Sequence, residues 1–363
     1  MKRTAFFGIV TLFMLATLSA QAQTDGPRYL PSAADGACRQ WVDSVFSRMS
    51  LHEKVGQLLV PKVMAEETKE NKKAIKELVK KDKVGGLLFG VGTSEEQAIL
   101  TNLAQSNAKV PLMITFDGEW GPAMRLKDVP PFPRNAALGC IADNGLIEAY
   151  GREVARQLRE LGVVVNFAPV VDVNTNPLNP VIHVRSFGEN PQQVAEKAVA
   201  YGRGLEAGGV LSVAKHFPGH GDTDSDSHKV LPVVWGDRHR LDSIELYPFK
   251  AMAGAGLGGV MVAHLQVPAI EPDSVLPSSL SHRVITGLLK EELGFEGLVF
   301  TDALDMKGVT GVSGYYTKAV LAGNDMLLVQ FSAKEALNEL VGAVRSGELP
   351  EALINEKCRK VLT

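Results

Sequence analysis

Three of the eight His and three Asp of this chain fall within fourteen residues, from Lys215 to His228. The segment reads Lys-His-Phe-Pro-Gly-His-Gly-Asp-Thr-Asp-Ser-Asp-Ser-His, and Pro218, Gly219 and Gly221 forbid a helix there. Crowded titratable groups cost stability, through repulsion and lost hydration, so such loops are usually functional. Two chemistries can be asked of them. A calcium loop would use Asp222, Asp224 and Asp226, but Ser227 stands where Gly is required and Val233 where the bidentate Glu belongs. His216 and His220 have zinc-helix spacing on a segment that cannot be helical. No metal is therefore expected. Acid–base work fits better: in an extended loop Asp226 and His228 point the same way, so the carboxylate can orient the imidazole and raise its pKa. An attacking group must come from elsewhere. Asp302 is the candidate, at the tip of the apolar run Leu-Val-Phe-Thr, with helix capping as its competing role.

These residues need a scaffold. Apolar, β-branched runs predict strands at 58–63, 84–89, 111–116, 163–173, 210–215, 259–265, 298–302 and 325–329. They show little alternation, as strands buried on both faces do. Helix signals fall between them: capping boxes at Ser50/Glu53 and Ser94/Gln97, an Asn190-Pro191 start, and segments 146–161 and 281–293 closed by Gly162 and Gly294. The charged run 66–83 reads as a solvated amphipathic helix with Ile75, Leu78 and Val79 on its inner face. Eight alternating units predict an α/β fold, a single-domain (β/α)8 TIM-type barrel, with a doubly wound open sheet as the alternative. Asp117, Asp172, Lys215, His264 and Asp302 all fall at C-terminal strand ends, where barrels of this kind place their active sites.

Composition narrows the class. With 363 residues, 45% hydrophobic, 22% charged and a formal net charge of -3, the chain resembles neither a nucleic-acid binder nor a membrane span. Lys2 and Arg3, an apolar stretch to Leu18 and Ala20-Gln21-Ala22 read as a signal peptide over 1–22, cut after Ala22, which implies a periplasmic or secreted protein without stable membrane insertion. Residues 23–50 are expected to be a lead-in and 51–363 the catalytic domain. Three widely spaced Cys exclude a disulfide scaffold.

Lys215 to Thr223, followed by Asp226-Ser227-His228, resembles the family 3 glycoside hydrolases, in their bacterial β-N-acetylglucosaminidase branch. Asn166 to Val173, Arg185 to Gly188, Val262-Ala263-His264 and Thr301 to Leu304 extend the resemblance, as does Asp117-Gly118-Glu119-Trp120-Gly121. It implies a barrel that works without metal or organic cofactor on a carbohydrate. It also implies Asp302 as nucleophile, His228 as acid/base tuned by Asp226, and Asp117, Arg125, Arg185, Lys215 and His216 as sugar-binding residues. The implied reaction is retaining, exo-acting removal of terminal GlcNAc from peptidoglycan- or chitin-derived glycosides. The chain departs from the family pattern at Trp120-Gly121-Pro122, where two Gly and an Arg usually stand. Trp120 is then either a sugar-stacking wall or a packed rim aromatic. Other readings are a β-N-acetylglucosaminide phosphorylase, a β-glucosidase or β-xylosidase, and, outside enzymes, a glycan-binding protein.

Overall fold

The structure, a computed structural model, describes residues 36–225, 231–330 and 333–363. Eight parallel strands lie in the order β7-β6-β5-β4-β3-β2-β1-β8. They are β1 Leu59–Ala65, β2 Gly86–Gly92, β3 Met113–Phe116, β4 Val165–Asn166, β5 Leu211–Phe217, β6 Gly259–Val262, β7 Leu298–Thr301 and β8 Leu327–Val329. A bridge between Phe300 and Met326 brings β7 against β8, so the sheet forms a nearly closed (β/α)8 TIM-type barrel.

Every expected strand exists, and its apolar run is explained by two-sided burial. Val60, Leu88, Val165, Phe167, Leu211, Val213, Met261, Leu298, Phe300, Met326 and Leu328 fill the interior. Phe167 and Phe300 meet edge to face at 5.4 Å. Alternate side chains of the same strands, with the helices, form the outer core.

Three expectations need correction. The ladder of β4 is two residues long, not the eleven of 163–173: the Ala168 N–H turns back to the Asn166 carbonyl at 2.8 Å, and beyond it the chain meets β5 only through scattered bonds and the Val170–Lys215 bridge. The helix cap expected at Ser94 belongs one residue earlier. Thr93 accepts from the Glu96 N–H, while the Ser94 N–H and hydroxyl are occupied by Asp128. The third is the helix over Arg283–Glu292, which is wound in wide π-type turns. By contrast, Ser50/Glu53 forms the full box and Asn190 caps Pro191–Ala207. In the run 66–83 a helix begins at Lys69 under the Thr68 cap and buries Ile75, Leu78 and Val79.

The proposed signal peptide, 1–22, lies outside the described residues. Part of the lead-in is a helix, Gly36–Phe46, docked on the last helix, Glu351–Leu362. Asp43 pairs with Arg359 at 2.6 Å, and the Phe46 ring lies under the Lys54 and Arg359 cations. Among the described residues, no helix is long and apolar enough to cross a membrane.

Candidate active site

Asp117 is the first residue after β3, and its loop turns at once. Asn166 of β4 holds the Gly118 peptide from both sides, accepting from its N–H at 2.9 Å and donating to its carbonyl at 3.1 Å. The Gly121 N–H returns to the Gly118 carbonyl at 3.1 Å. Asp117 and Glu119 thereby face the same cation. Lys215 Nζ lies 2.8 Å from Asp117 Oδ1 and 2.9 Å from Glu119 Oε1. Arg125 donates to the other Asp117 oxygen at 2.6 Å.

Lys215 and His216 are neighbours on β5, and a regular strand would point them to opposite faces. The β5–β6 register shifts between Lys215 and Phe217, so His216 is an extra residue, and the bulge turns both side chains into the mouth. The following loop is held close to the segment that follows β4. A Cβ on Gly221 would lie 1.8 Å from the Val173 carbonyl oxygen, and Gly219 has φ +133 against Glu245. Those two glycines of the motif are there for space.

Asp172 is the anchor beneath the loop. Fully buried, it accepts from the His216 N–H, from the His220 N–H at 2.6 Å and from His216 Nδ1 at 2.7 Å. The other ring nitrogen of His216 lies 3.1 Å from Arg185 Nη2. A guanidinium only donates, so Nε2 must accept, and the His216 ring carries its proton on Nδ1. Arg185, on the turn His183–Arg185, also grips Glu119 with Nε at 2.9 Å and Nη2 at 2.7 Å. Its carbonyl is fixed by Asn135 at 2.7 Å.

Three carboxylates (Asp117, Glu119, Asp172) thus alternate with three cations (Arg125, Lys215, Arg185) in one connected frame. Burial alone would push the carboxyls up. The Lys215 and Arg125 charges hold Asp117 well below the ordinary carboxylate range, and the Lys215 and Arg185 charges bring Glu119 down to about 2. Burial opposes the charge of Lys215, yet Asp117 and Glu119 raise its pKa above the usual lysine value. All three are ionised at neutral pH.

Asp302 follows β7 and stands partly open at the mouth. Its N–H donates to the Val262 carbonyl at 2.9 Å, and Oδ1 accepts from the Ala303 N–H at 2.7 Å. It does not cap a helix, since the next one begins at Lys307 with Met306 at its cap position. Burial pushes its pKa up. The imidazoles of His264 and His216, the Ala303 N–H and the Lys215 charge outweigh burial and leave it below the ordinary value. The Ala303 and Lys215 contributions hold whatever the state of the imidazoles.

The structure therefore brings together Asp117, Arg125, Arg185, Lys215 and His216, with Asp302 within electrostatic reach of Lys215. Asp226 and His228 lie outside the described residues. Glu119 and Asp172, to which sequence reasoning gave no role, are the most buried members of the frame. The signal was an Asp-x-Glu pair closing an apolar strand and an Asp ending another. His264 holds the residue after Asp302: its Nε2 donates to the Ala303 carbonyl at 3.0 Å and its Nδ1 meets Ser279 at 2.6 Å. His220 bonds Thr223 at 2.6 Å, and burial draws its pKa down to about 4, so it is a neutral scaffold residue. Asp222 pairs with Arg240 at 3.0 Å. Trp120 has one indole face covered by the Arg134 guanidinium, 3.8 Å from the ring centre, which leaves at most the other face for a sugar. Among the described residues no group of three or more His, Cys, Asp or Glu is arranged to hold a metal ion.

The sequence matches the model of the Glycosyl hydrolase family 3 N terminal domain over residues 50–363. Beta-hexosaminidase A of Pseudoalteromonas piscicida is 40% identical over 259 residues, which are 65% of this chain and 43% of that protein. Beta-hexosaminidase LpqI of Mycobacterium tuberculosis is 35% identical over 300 residues, 77% of this chain and 75% of that one. A solved family 3 beta-N-acetylglucosaminidase from Paenibacillus sp. str. FPU-7 superposes with a TM-score of 0.81 at 38% identity, over 86% of this chain and 62% of that one. The chain thus spans about half to three quarters of the length of these relatives.

Proposed function

The chain belongs to glycosyl hydrolase family 3, and on that premise we propose that it is an exo-acting, retaining β-N-acetylglucosaminidase. One observation carries the reading. Asp302, an ionised carboxylate at a strand tip, stands beside a frame of three anions and three cations that cancel one another. Among the described residues of the site, Asp302 is then the charge left unbalanced. It faces the place where positive charge develops at an anomeric carbon in an oxocarbenium-like transition state.

The frame also suits a sugar. Of three Lys215 N–H bonds, two point at Asp117 and Glu119. Of five Arg185 N–H bonds, two go to Glu119, one to His216 and one to the Val181 carbonyl at 3.3 Å. One donor from each remains, and Asp117, with 22% of its side chain exposed, keeps acceptor capacity beside them. Two fixed donors next to a fixed acceptor match adjacent ring hydroxyls and an N-acetyl carbonyl.

In the first step an Asp302 oxygen attacks the anomeric carbon, the glycosidic bond breaks, and His228, oriented by Asp226, gives its proton to the leaving oxygen. In the second, His228 takes a proton from water, whose oxygen displaces Asp302. Configuration is retained after two inversions. The natural substrates in this reading are GlcNAc glycosides derived from peptidoglycan or chitin, met after export by the signal peptide. The names of the relatives support the sugar class.

Turnover of 4-nitrophenyl β-N-acetylglucosaminide by wild type and Asp302→Ala tests it. Activity that collapses in the variant supports the sugar and the nucleophile together. Equal activity in both would remove Asp302 from its role. Cleavage of β-glucosides or β-xylosides instead would remove the N-acetyl preference. A sugar 1-phosphate formed when phosphate is present would turn the reading to a phosphorylase.

A further inference from the structure

We infer that Glu119 is the positioning residue that sets the sugar-facing donors of both Lys215 and Arg185; the inference rests on the glycosidase reading above. Glu119 has 0% of its surface exposed and cannot itself touch substrate. Both of its oxygens are used: Oε1 meets Lys215 at 2.9 Å and Arg185 Nη2 at 2.7 Å, and Oε2 meets Arg185 Nε at 2.9 Å. The two-toothed grip fixes the plane of the guanidinium. That plane decides where the remaining Nη1 hydrogen points, and it places Nη2 against His216. The same Oε1 fixes the second of three Lys215 hydrogens and so the direction of the third.

No other contact in the frame does this for both cations. Asp117 holds Lys215 and Arg125 but not Arg185, and it is partly open to a ligand that will compete for its lone pairs. Asp172 reaches Arg185 only through His216. Glu119 arises from the loop after β3, Lys215 from β5 and Arg185 from the loop after β4, so one carboxylate sets the mutual geometry of three neighbouring barrel segments. A misplacement of about 1 Å at such groups costs on the order of 10²-fold in rate.

Glu119→Asp tests this while keeping the charge. The side chain is one methylene short and cannot reach both cations. The expected result is a kcat/KM for 4-nitrophenyl β-N-acetylglucosaminide lowered about 10²-fold, with affinity for the free monosaccharide N-acetylglucosamine, measured by calorimetry, weakened about as much. Glu119→Gln removes the charge as well and adds a second signature. Asp302 then lies beside a frame with one surplus positive charge, so the acid limb of kcat/KM moves to lower pH, which a purely structural defect would not cause. Wild-type kinetics and monosaccharide affinity in Glu119→Asp would overturn the inference. So would loss of activity accompanied by unchanged monosaccharide affinity. If the wild type turns over no glycoside but binds the monosaccharide, the glycosidase reading falls, and the calorimetric comparison still decides Glu119. If it does neither, both fall.

Discussion

The barrel carries a buried charge cluster at each end, and they are built differently. At the C-terminal mouth, three carboxylates and three cations balance, with donors and an acceptor left over. At the opposite end Asp325, which precedes β8, is surrounded by Lys290 at 3.3 Å, Lys357 at 3.4 Å and Lys360 at 2.8 Å. There the surplus of cations is turned back on the chain: Lys290 donates to the Gly323 carbonyl at 2.6 Å and Lys360 to the Gly297 carbonyl at 2.8 Å. Asp325 itself accepts the Val299 N–H at 2.9 Å. This cluster fastens β7, β8, the π-type helix and the last helix to one another. Buried charge therefore does not mark an active site by itself; hydrogen-bonding capacity left open to a partner does.

Four substitutions would break or sharpen that contrast. Asp302→Asn is expected to lower kcat by about 10⁴-fold or more, the scale on which a group acting within a covalent mechanism is felt. Urea denaturation should find it as stable as wild type. Asp325→Asn should do the reverse. Removing one partner of a buried ion cluster costs about 3–5 kcal/mol, so the urea midpoint falls while kcat/KM per folded molecule stays at wild type. Lys215→Met should show both losses, because it leaves Asp117 and Glu119 short of a cation and removes a sugar donor. About 10²- to 10³-fold in kcat/KM is expected from misplaced substrate and frame, together with a lower melting temperature.

The smallest effect concerns pH. Burial outweighs Asp325 and draws Lys357 down from 10.5 to about 8. Below about pH 8 the folded and unfolded states both hold that proton, and the folded protein bears the full penalty. Between about 8 and 10.5 the folded state releases it first, so this site's contribution to stability rises with pH. Comparing wild type with Lys357→Met by urea denaturation across that window should show a relative gain for wild type of up to about 3 kcal/mol. A flat difference between the two proteins would mean that Asp325 keeps Lys357 charged throughout.

How far the sequence carries depends on whether a feature is local. All eight strands were legible because an apolar run buried on both faces needs no partner to be recognised. The short β4 was not. Its run of apolar residues continues through Val173, and the turn of the Ala168 N–H back to the Asn166 carbonyl, which ends the ladder, leaves no mark in that pattern. The misplaced cap has a similar cause, since Thr93-x-x-Glu96 and Ser94-x-x-Gln97 both satisfy the pattern and a distant Asp128 decides between them. At the site, Lys215, His216, Arg185, Arg125 and Asp117 were named from motifs and do converge. Glu119 and Asp172 were not assigned because their partners come from other strands. The competing role for Asp302 as a helix cap was open in the sequence and is excluded by the start of the helix at Lys307.

The seam between β7 and β8 has a further consequence for how this barrel tolerates change. Around β4 the ring is short, but it is tied backbone to backbone, as in Val164 N–H to Ile114 and Leu211 N–H to Val164. The seam has backbone bonds too, as in Thr301 N–H to Met326 and Met326 N–H to Val299, and two side chains add to them: the Leu328 N–H is accepted by the Thr301 hydroxyl and the Val299 N–H by the Asp325 carboxylate. Two bonds of this joint thus depend on side-chain identity, beside the backbone bonds that any sequence could make, and the joint borders the strand that presents Asp302. Substitutions that elsewhere count as conservative, such as Thr301→Val, would there remove one of the bonds that close the ring, so a library built to diversify this chain should hold Thr301 and Asp325 fixed for stability.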